Sequence, residues 1–76
     1  MDIEYELGFL GFTKNEIKIY LTLLRLGRTR AGKLAKEARL ERTSAYNSLN
    51  RLISQGIVSY VIEANEKVFH AANLEL

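Results

Sequence analysis

The spacing of apolar residues changes once along this chain of 76 residues, at Gly56. Before Gly56, apolar residues recur every three or four positions, which is the period of an α-helix. After Gly56, the runs IVSYVIE and KVFHAA are rich in β-branched and aromatic residues, which favour strands. The residues Ala64-Asn65-Glu66 between these runs suit a tight turn, with Asn65 in a left-handed conformation. The sequence therefore predicts helices first and a β-hairpin last.

The first strong helix is predicted to begin at Thr13 and to end at Gly27. TKNE fits a capping box, in which the side chains of Thr13 and Glu16 each accept a hydrogen bond from the other residue's backbone amide. Two apolar stripes follow, one formed by Ile17, Tyr20, Leu21 and Leu24 and the other by Ile19, Leu23 and Leu26. One small core does not need both, so the second stripe is expected to meet the leading segment or a second subunit.

Two further helices are predicted, over about residues 31–38 and about residues 41–55. The third helix carries one apolar face, formed by Ala45, Tyr46, Leu49, Leu52 and Ile53. A short leading helix is also expected over residues 2–9. Helices joined by a short turn and followed by a hairpin predict a mainly α fold with a β-hairpin, a winged helix-turn-helix with a three-helix core and a two-stranded wing. Residues 1–76 are expected to form a single domain.

The composition argues against several classes of function. The chain has no cysteine and one histidine, His70, so neither a thiolate metal site nor a Cys–His or Ser–His nucleophile is expected. It has no Gly-rich phosphate loop, no apolar run near the roughly 20 residues that span a bilayer, and no signal-peptide pattern. We expect a cytoplasmic protein that is not an enzyme, uses no cofactor and does not insert into a membrane.

Positive charge is concentrated in the middle of the chain. The formal net charge is only +2, yet residues 28–56 hold seven basic and two acidic side chains, whereas both flanking segments are net acidic. This distribution indicates an anionic partner for the middle segment. A basic surface that is merely solvated is the alternative.

Four segments carry a resemblance to a known family. They are LGFTKNEIKIYLTLLRLG (10–27), AGKLAKEARL (31–40), RTSAYNSLNRLISQGIV (42–58) and the hairpin to about residue 71. Together they resemble the N-terminal winged-helix domain of the TrmB family of archaeal transcriptional regulators. The resemblance implies binding of double-stranded DNA as a homodimer, with the third helix in the major groove. No small-molecule effector domain is visible, and the acidic Glu63 and Glu66 depart from the basic wing common in the family.

The third helix and the basic segment before it are predicted to contact DNA. Early residues of a recognition helix reach base edges, which nominates Arg42, Thr43, Ser44 and Asn47 for base reading. The alternative is that Thr43 or Ser44 only caps the helix and that Asn47 is only solvated. Backbone contacts are predicted for Arg28, Arg30, Lys33, Lys36, Arg39, Tyr46, Arg51 and Lys67. Tyr46 is expected at the edge of the core with its hydroxyl near a phosphate, and Glu41 is interpreted as a helix-start carboxylate.

A winged helix that docks on another protein is the second interpretation of the function. It is motivated by the acidic wing and by the second apolar stripe of the first helix, and the basic middle segment favours DNA over it. A homodimer is expected to form through the leading segment, the first helix or the C-terminal end, and would suit a palindromic operator.

Overall fold

A computed structural model describes residues 11–72 of the chain. Within that range lie three helices, α1 (Lys14–Leu26), α2 (Ala31–Ala38) and α3 (Arg42–Ser54). The strands are β1 (Thr29–Arg30), β2 (Val58–Glu63) and β3 (Glu66–Ala71). The leading helix predicted over residues 2–9 lies outside the described residues. The order of three helices followed by a hairpin confirms the predicted winged helix-turn-helix.

Local sequence explains where the helices begin and end. The Glu16 amide donates to Thr13 Oγ1 at 3.1 Å and the Thr13 amide donates to Glu16 Oε1 at 2.8 Å, which confirms the capping box. Gly27 follows α1 with a φ of 75°, and its amide donates to the carbonyl of Leu23. Arg39 follows α2 in a left-handed conformation, with a φ of 58°. The sharp turn before α3 therefore forms without glycine, at the steric cost of a Cβ in this region.

The three strands form one antiparallel sheet in the order β1-β3-β2. The hairpin of β2 and β3 is the wing, and β1 adds a short strand to its inner edge by pairing Thr29 with Phe69. Strand β1 was not predicted, because two residues are too few to show an alternating pattern. This strand matters for the site, since it ties the segment between α1 and α2 to the base of the wing.

The wing turns through the two residues between the paired Glu63 and Glu66. Ala64 and Asn65 both have positive φ, 51° and 64° respectively, the pattern of a type I′ turn whose twist matches that of the strands. The left-handed Asn65 was predicted. Ala64 is less suited to this conformation, because its Cβ clashes with the backbone.

The core lies where the three helices meet the base of the sheet. Its largest fully buried side chains are Phe69, Ile19, Leu23, Leu34, Leu49, Leu52, Glu16 and Val58. None of the helices described between Lys14 and Ser54 is long and apolar enough to cross a membrane.

The structure corrects the interpretation of the two stripes of α1. Ile19 and Leu23, from the stripe expected to meet another partner, are buried in the core, whereas Leu24 of the other stripe is 48% exposed. The two stripes are similarly apolar, so spacing alone does not choose between them. The choice is made by long-range packing, because α2, α3 and β3 all contact α1.

Candidate nucleic-acid interface

The buried side of α3 defines its outer face. Facing the core are Ala45, Ser48, Leu49 and Leu52. With about 3.6 residues per turn, the centre of the opposite face is formed by Thr43, Asn47, Asn50 and Ser54, all of which are exposed. Thr43 and Asn47, two of the four predicted base-reading residues, are therefore central. Arg42 and the half-buried Ser44 lie at opposite edges of this face.

The start of α3 has no side-chain cap. Glu41 is the N-cap residue in an extended conformation, but its carboxylate makes no capping hydrogen bond. Thr43 and Ser44 lie inside the first turn, so the alternative that one of them is the N-cap is wrong. The first amides of α3, which lack intrahelical acceptors, are therefore not occupied by the Glu41 carboxylate.

One flank of α3 faces the wing, and we call it the wing-side flank. A cavity of about 210 Å³ is lined by Arg30, Ala31, Gly32, Arg42, Tyr46, Asn65, Glu66 and Lys67. The Arg42 guanidinium carbon lies 5.9 Å from the centre of the Tyr46 ring, a cation–π contact. Tyr46 is 37% exposed, which fits its predicted position at the edge of the apolar face. This position at the edge puts the Tyr46 ring beside Arg42.

The other flank faces the beginning of α1, and we call it the α1-side flank. A cavity of about 370 Å³ is lined by Thr13, Lys14, Asn15, Ser44, Asn47, Ser48 and Arg51. None of the described residues that line it is acidic or apolar. Lys14 and Asn15 were not predicted as site residues, because their proximity to α3 arises from folding rather than from any local pattern. The polar residues at the start of α1 were the signal in the sequence that could have indicated their role.

Three of the predicted phosphate contacts are paired with carboxylates. Arg28 pairs with Glu63, and Arg30 Nε lies 2.7 Å from Glu66 Oε2, so the two pairs join β1 and the residue before it to the wing. Arg51 Nε lies 3.2 Å from Glu16 Oε2, which joins α3 to α1. These pairs link residues far apart in the chain. Because carboxylates from outside residues 28–56 neutralise three of its arginines, that segment has less free positive charge than its sequence alone indicates.

Other basic residues of the middle segment keep their charge unpaired within the described structure. No ion pair within residues 11–72 involves Lys33, Lys36, Arg39 or Arg42, and all four side chains are exposed. Lys33 shares a third cavity, of about 500 Å³, with Arg28, Arg30 and Glu63. Lys36 and Arg39 line neither of the two cavities beside α3. Lys67 lies over the Tyr60 ring, with Nζ 4.5 Å from its centre.

Three helices, a wing and a polar outer face on α3 define a winged helix-turn-helix protein. Residues 7–75 match the family described as sugar-specific transcriptional regulator TrmB, so the chain belongs to the TrmB family, as the resemblance predicted. It is also 32% identical over 75 residues to the HTH-type sugar sensing transcriptional regulator TrmBL1 of Pyrococcus furiosus. That alignment covers 99% of this chain but 22% of the relative, so the chain spans about a fifth of that protein's length.

Solved structures agree on the fold. A MarR family transcriptional regulator from Silicibacter pomeroyi superimposes with a TM-score of 0.78 at 15% identity, covering 90% of this chain and 47% of that one. The transcriptional regulator SlyA superimposes with a TM-score of 0.65 at 24% identity, covering 95% of this chain and 63% of that one. The Zalpha domain of Carassius auratus PKZ, solved in complex with Z-DNA, superimposes with a TM-score of 0.71 at 26% identity. The match covers 76% of this chain and 92% of that one. The family match and the solved structures therefore agree on a winged helix-turn-helix domain.

Proposed function

We propose that this chain binds double-stranded DNA through α3 and serves as the DNA-binding part of a transcriptional regulator. The observation that carries the proposal is the outer face of α3, where Thr43 and Asn47 are central and exposed. Cationic side chains border this face on both flanks, Arg42 on one and Arg51 on the other. Membership of the TrmB family and the neighbour bound to Z-DNA support a nucleic-acid partner.

In the proposed complex, α3 enters the major groove, which is wide enough for a helix. Asn47 offers the amide that suits adenine, and Arg42 offers the bidentate donors that suit guanine. Thr43 and Ser44 add hydroxyl contacts at the start of the helix. The exposed cations Lys33, Lys36 and Arg39 position the domain on the phosphates without reading sequence.

A homodimer completes the proposal. A two-fold dimer would place two copies of α3 in successive major grooves, about 34–36 Å apart, and would suit a palindromic operator. Light scattering at tens of micromolar protein measures the mass directly. A mass of one chain, with a single half-site protected on DNA, would remove the dimer from the proposal while leaving DNA binding intact.

Selection of bound duplexes from a random pool tests the function. Wild-type protein should enrich a motif, and Asn47→Ala should relax one position of it, since each bidentate base contact contributes roughly 1–3 kcal/mol of discrimination. Arg42→Ala should relax another. Lys18→Ala, an exposed cation on α1, is the matched control and should leave the motif unchanged. Failure of the wild type to enrich any motif would contradict sequence-specific binding.

A protein-docking role is the second candidate, and the wing supplies its observation. Val61 and Ile62 on β2 are 39% and 60% exposed, an apolar pair on the outer strand of the sheet. In this case Ile62→Ser should abolish binding of a purified partner, while Arg42→Ala and Asn47→Ala should have no effect. Duplex binding that is sensitive to salt and is lost in Asn47→Ala would instead support the DNA-binding function.

A further inference from the structure

Glu16 is a charged side chain placed almost entirely out of solvent. Its side chain is 1% exposed, and Oε1 accepts the capping hydrogen bond from the Thr13 amide. Oε2 has no hydrogen-bond partner among the described residues, although Arg51 Nε lies 3.2 Å away. A buried carboxylate is costly unless a cation compensates it, and Arg51 is the cation in reach. Capping uses Oε1, which leaves Oε2 in an ion pair with Arg51 that has no hydrogen bond.

The contact leaves most of the Arg51 guanidinium available. Glu16 lies beside Nε, on the flank of the group, so the donors of the two Nη atoms are not used by this pair. The Arg51 side chain is 64% exposed, and the residue lines the cavity of the α1-side flank. These outer donors remain for an external acceptor, and arginine forms strong charge-assisted hydrogen bonds with phosphate oxygens. Arg51 therefore meets a buried carboxylate on its inner side and an open cavity on its outer side.

The cavity beside Arg51 has the chemistry of an anion site. Lys14 and Arg51 supply positive charge to it, and its other described lining residues are polar and uncharged. Lys14 and Asn15 are also the first two residues of α1, whose amides have no acceptor within the helix. Asn47 lines the same cavity and lies at the centre of the outer face of α3. An anion seated here would be adjacent to the base-reading surface.

We propose that this cavity seats a backbone phosphate of duplex DNA, contacted by Arg51 and Lys14, with Glu16 as the positioning residue that presets Arg51. The proposal rests on the proposed function and adds two residues to it, Lys14 and Glu16. Arg51 was predicted to contact the backbone, but Lys14 and the buried carboxylate were not predicted to take part. The phosphate would anchor one strand beside Asn47 and so fix the register of α3 in the groove.

Fluorescence anisotropy over a salt series, with the duplex selected by the wild-type protein, tests the site. Arg51→Ala and Lys14→Ala should each weaken binding and reduce the magnitude of the slope of log K against log salt, and the double variant should reduce it by about 1, the value for one lost phosphate contact. Lys18→Ala, an exposed lysine on the same helix, is the charge-matched control and should keep the slope. Unchanged slopes in both Arg51→Ala and Lys14→Ala would overturn the phosphate seat.

Glu16→Gln tests positioning, because glutamine keeps an oxygen for the Thr13 amide and loses the charge. We expect roughly threefold or more loss of affinity in Glu16→Gln, and little further loss when it is added to Arg51→Ala, because contacting residues couple. Glu16→Asp should recover part of the loss. Binding by Glu16→Gln as tight as or tighter than wild type would overturn the positioning role, since a carboxylate that only repels phosphate gives that result.

Two further readouts keep these outcomes separate. Circular dichroism melts without DNA show whether each variant folds, and the exposed Arg51 and Lys14 still test the site if Glu16→Gln is unfolded. Wild-type protein that binds no duplex at low salt would overturn the proposed function itself. Wild-type binding with full slopes in Arg51→Ala and Lys14→Ala would overturn only the phosphate seat.

Discussion

The two flanks of α3 hold the same kind of ion pair in different surroundings. On the wing-side flank, the side chains of Arg30 and Glu66 are both exposed, by 49% and 64%. On the α1-side flank, the Arg51 side chain is 64% exposed but its partner Glu16 is 1% exposed. Exposed pairs contribute about 0–1 kcal/mol, whereas a buried charge left without its partner costs several kcal/mol.

This difference in burial distinguishes an ion pair that breaks easily, Arg30 with Glu66, from one that is expected to persist when DNA binds, Arg51 with Glu16. Arg30, and Arg28 beside it, can exchange a carboxylate for a DNA phosphate at small cost, because water already solvates both partners. Arg51 keeps its carboxylate and offers its remaining donors. The wing-side flank is therefore expected to adapt on binding and the α1-side flank to be ready before it.

The largest effect is expected from removing the buried carboxylate. Glu16→Ala eliminates half of the capping box and should lower the free energy of unfolding by about 1–2 kcal/mol. Glu66→Ala, the matched change on the wing-side flank, should alter it by less than about 0.5 kcal/mol. Urea denaturation measures both. Equal effects would contradict the distinction between the flanks.

The next effect concerns DNA affinity and has the opposite sign on the two flanks. Glu66→Gln releases Arg30 and removes a negative charge, so binding should tighten by roughly two- to fivefold, the equivalent of an exposed ion pair. Glu63→Gln should act similarly through Arg28. Anisotropy at fixed salt measures the change. Weaker binding by Glu66→Gln would mean that the wing carboxylates hold their arginines in place for DNA as Glu16 is proposed to hold Arg51.

A smaller effect is expected at the wing turn, which shapes the wing-side flank alone. Ala64 has a left-handed φ of 51°, a conformation that Asn adopts more readily. Ala64→Asn should raise the free energy of unfolding by roughly 0.5 kcal/mol. Chemical denaturation measures it, and a drop in stability would show that Ala64 makes a contact that outweighs its backbone strain.

The smallest effect is expected at an exposed pair that lines neither flank cavity. Arg25 Nη2 lies 3.7 Å from Glu37 Oε2, with side chains 60% and 42% exposed. A double-mutant cycle with alanine should give a coupling energy under about 0.5 kcal/mol, and the duplex affinity of Glu37→Ala should stay within twofold of wild type. A coupling as large as that of Glu16 with Arg51 would show that burial is not the deciding variable.

Much of the fold could be predicted from sequence because its signals are local. The capping box at Thr13, the glycine at position 27 and the left-handed Asn65 each depend on residues within one turn. The stripe of α1 that meets the core could not be predicted, since it depends on where α2 and α3 pack. Strand β1 could not be predicted either, because its two residues show no alternating pattern and its pairing partner lies far along the chain in β3.

The candidate site shows the same division. The outer face of α3 follows from helical period, so Thr43 and Asn47 could be nominated correctly as exposed residues. The ion pairs could not be predicted, because Arg28 and Glu63 are 35 residues apart in the chain. Charge counting treated Arg51 as equivalent to Lys36. Only the folded arrangement shows that one has a buried carboxylate beside it.

Side-chain NMR of the arginines, before and after addition of the selected duplex, tests the central claim most directly. In the free protein the Nε–H order parameter of Arg51 should approach that of rigid backbone, about 0.85, while Arg28 and Arg30 should lie below about 0.6. Duplex DNA should order Arg30 and leave Arg51 as it was. Equal mobility of Arg51 and Arg30 in the free protein, or no change in any arginine signal on adding DNA, would contradict the account.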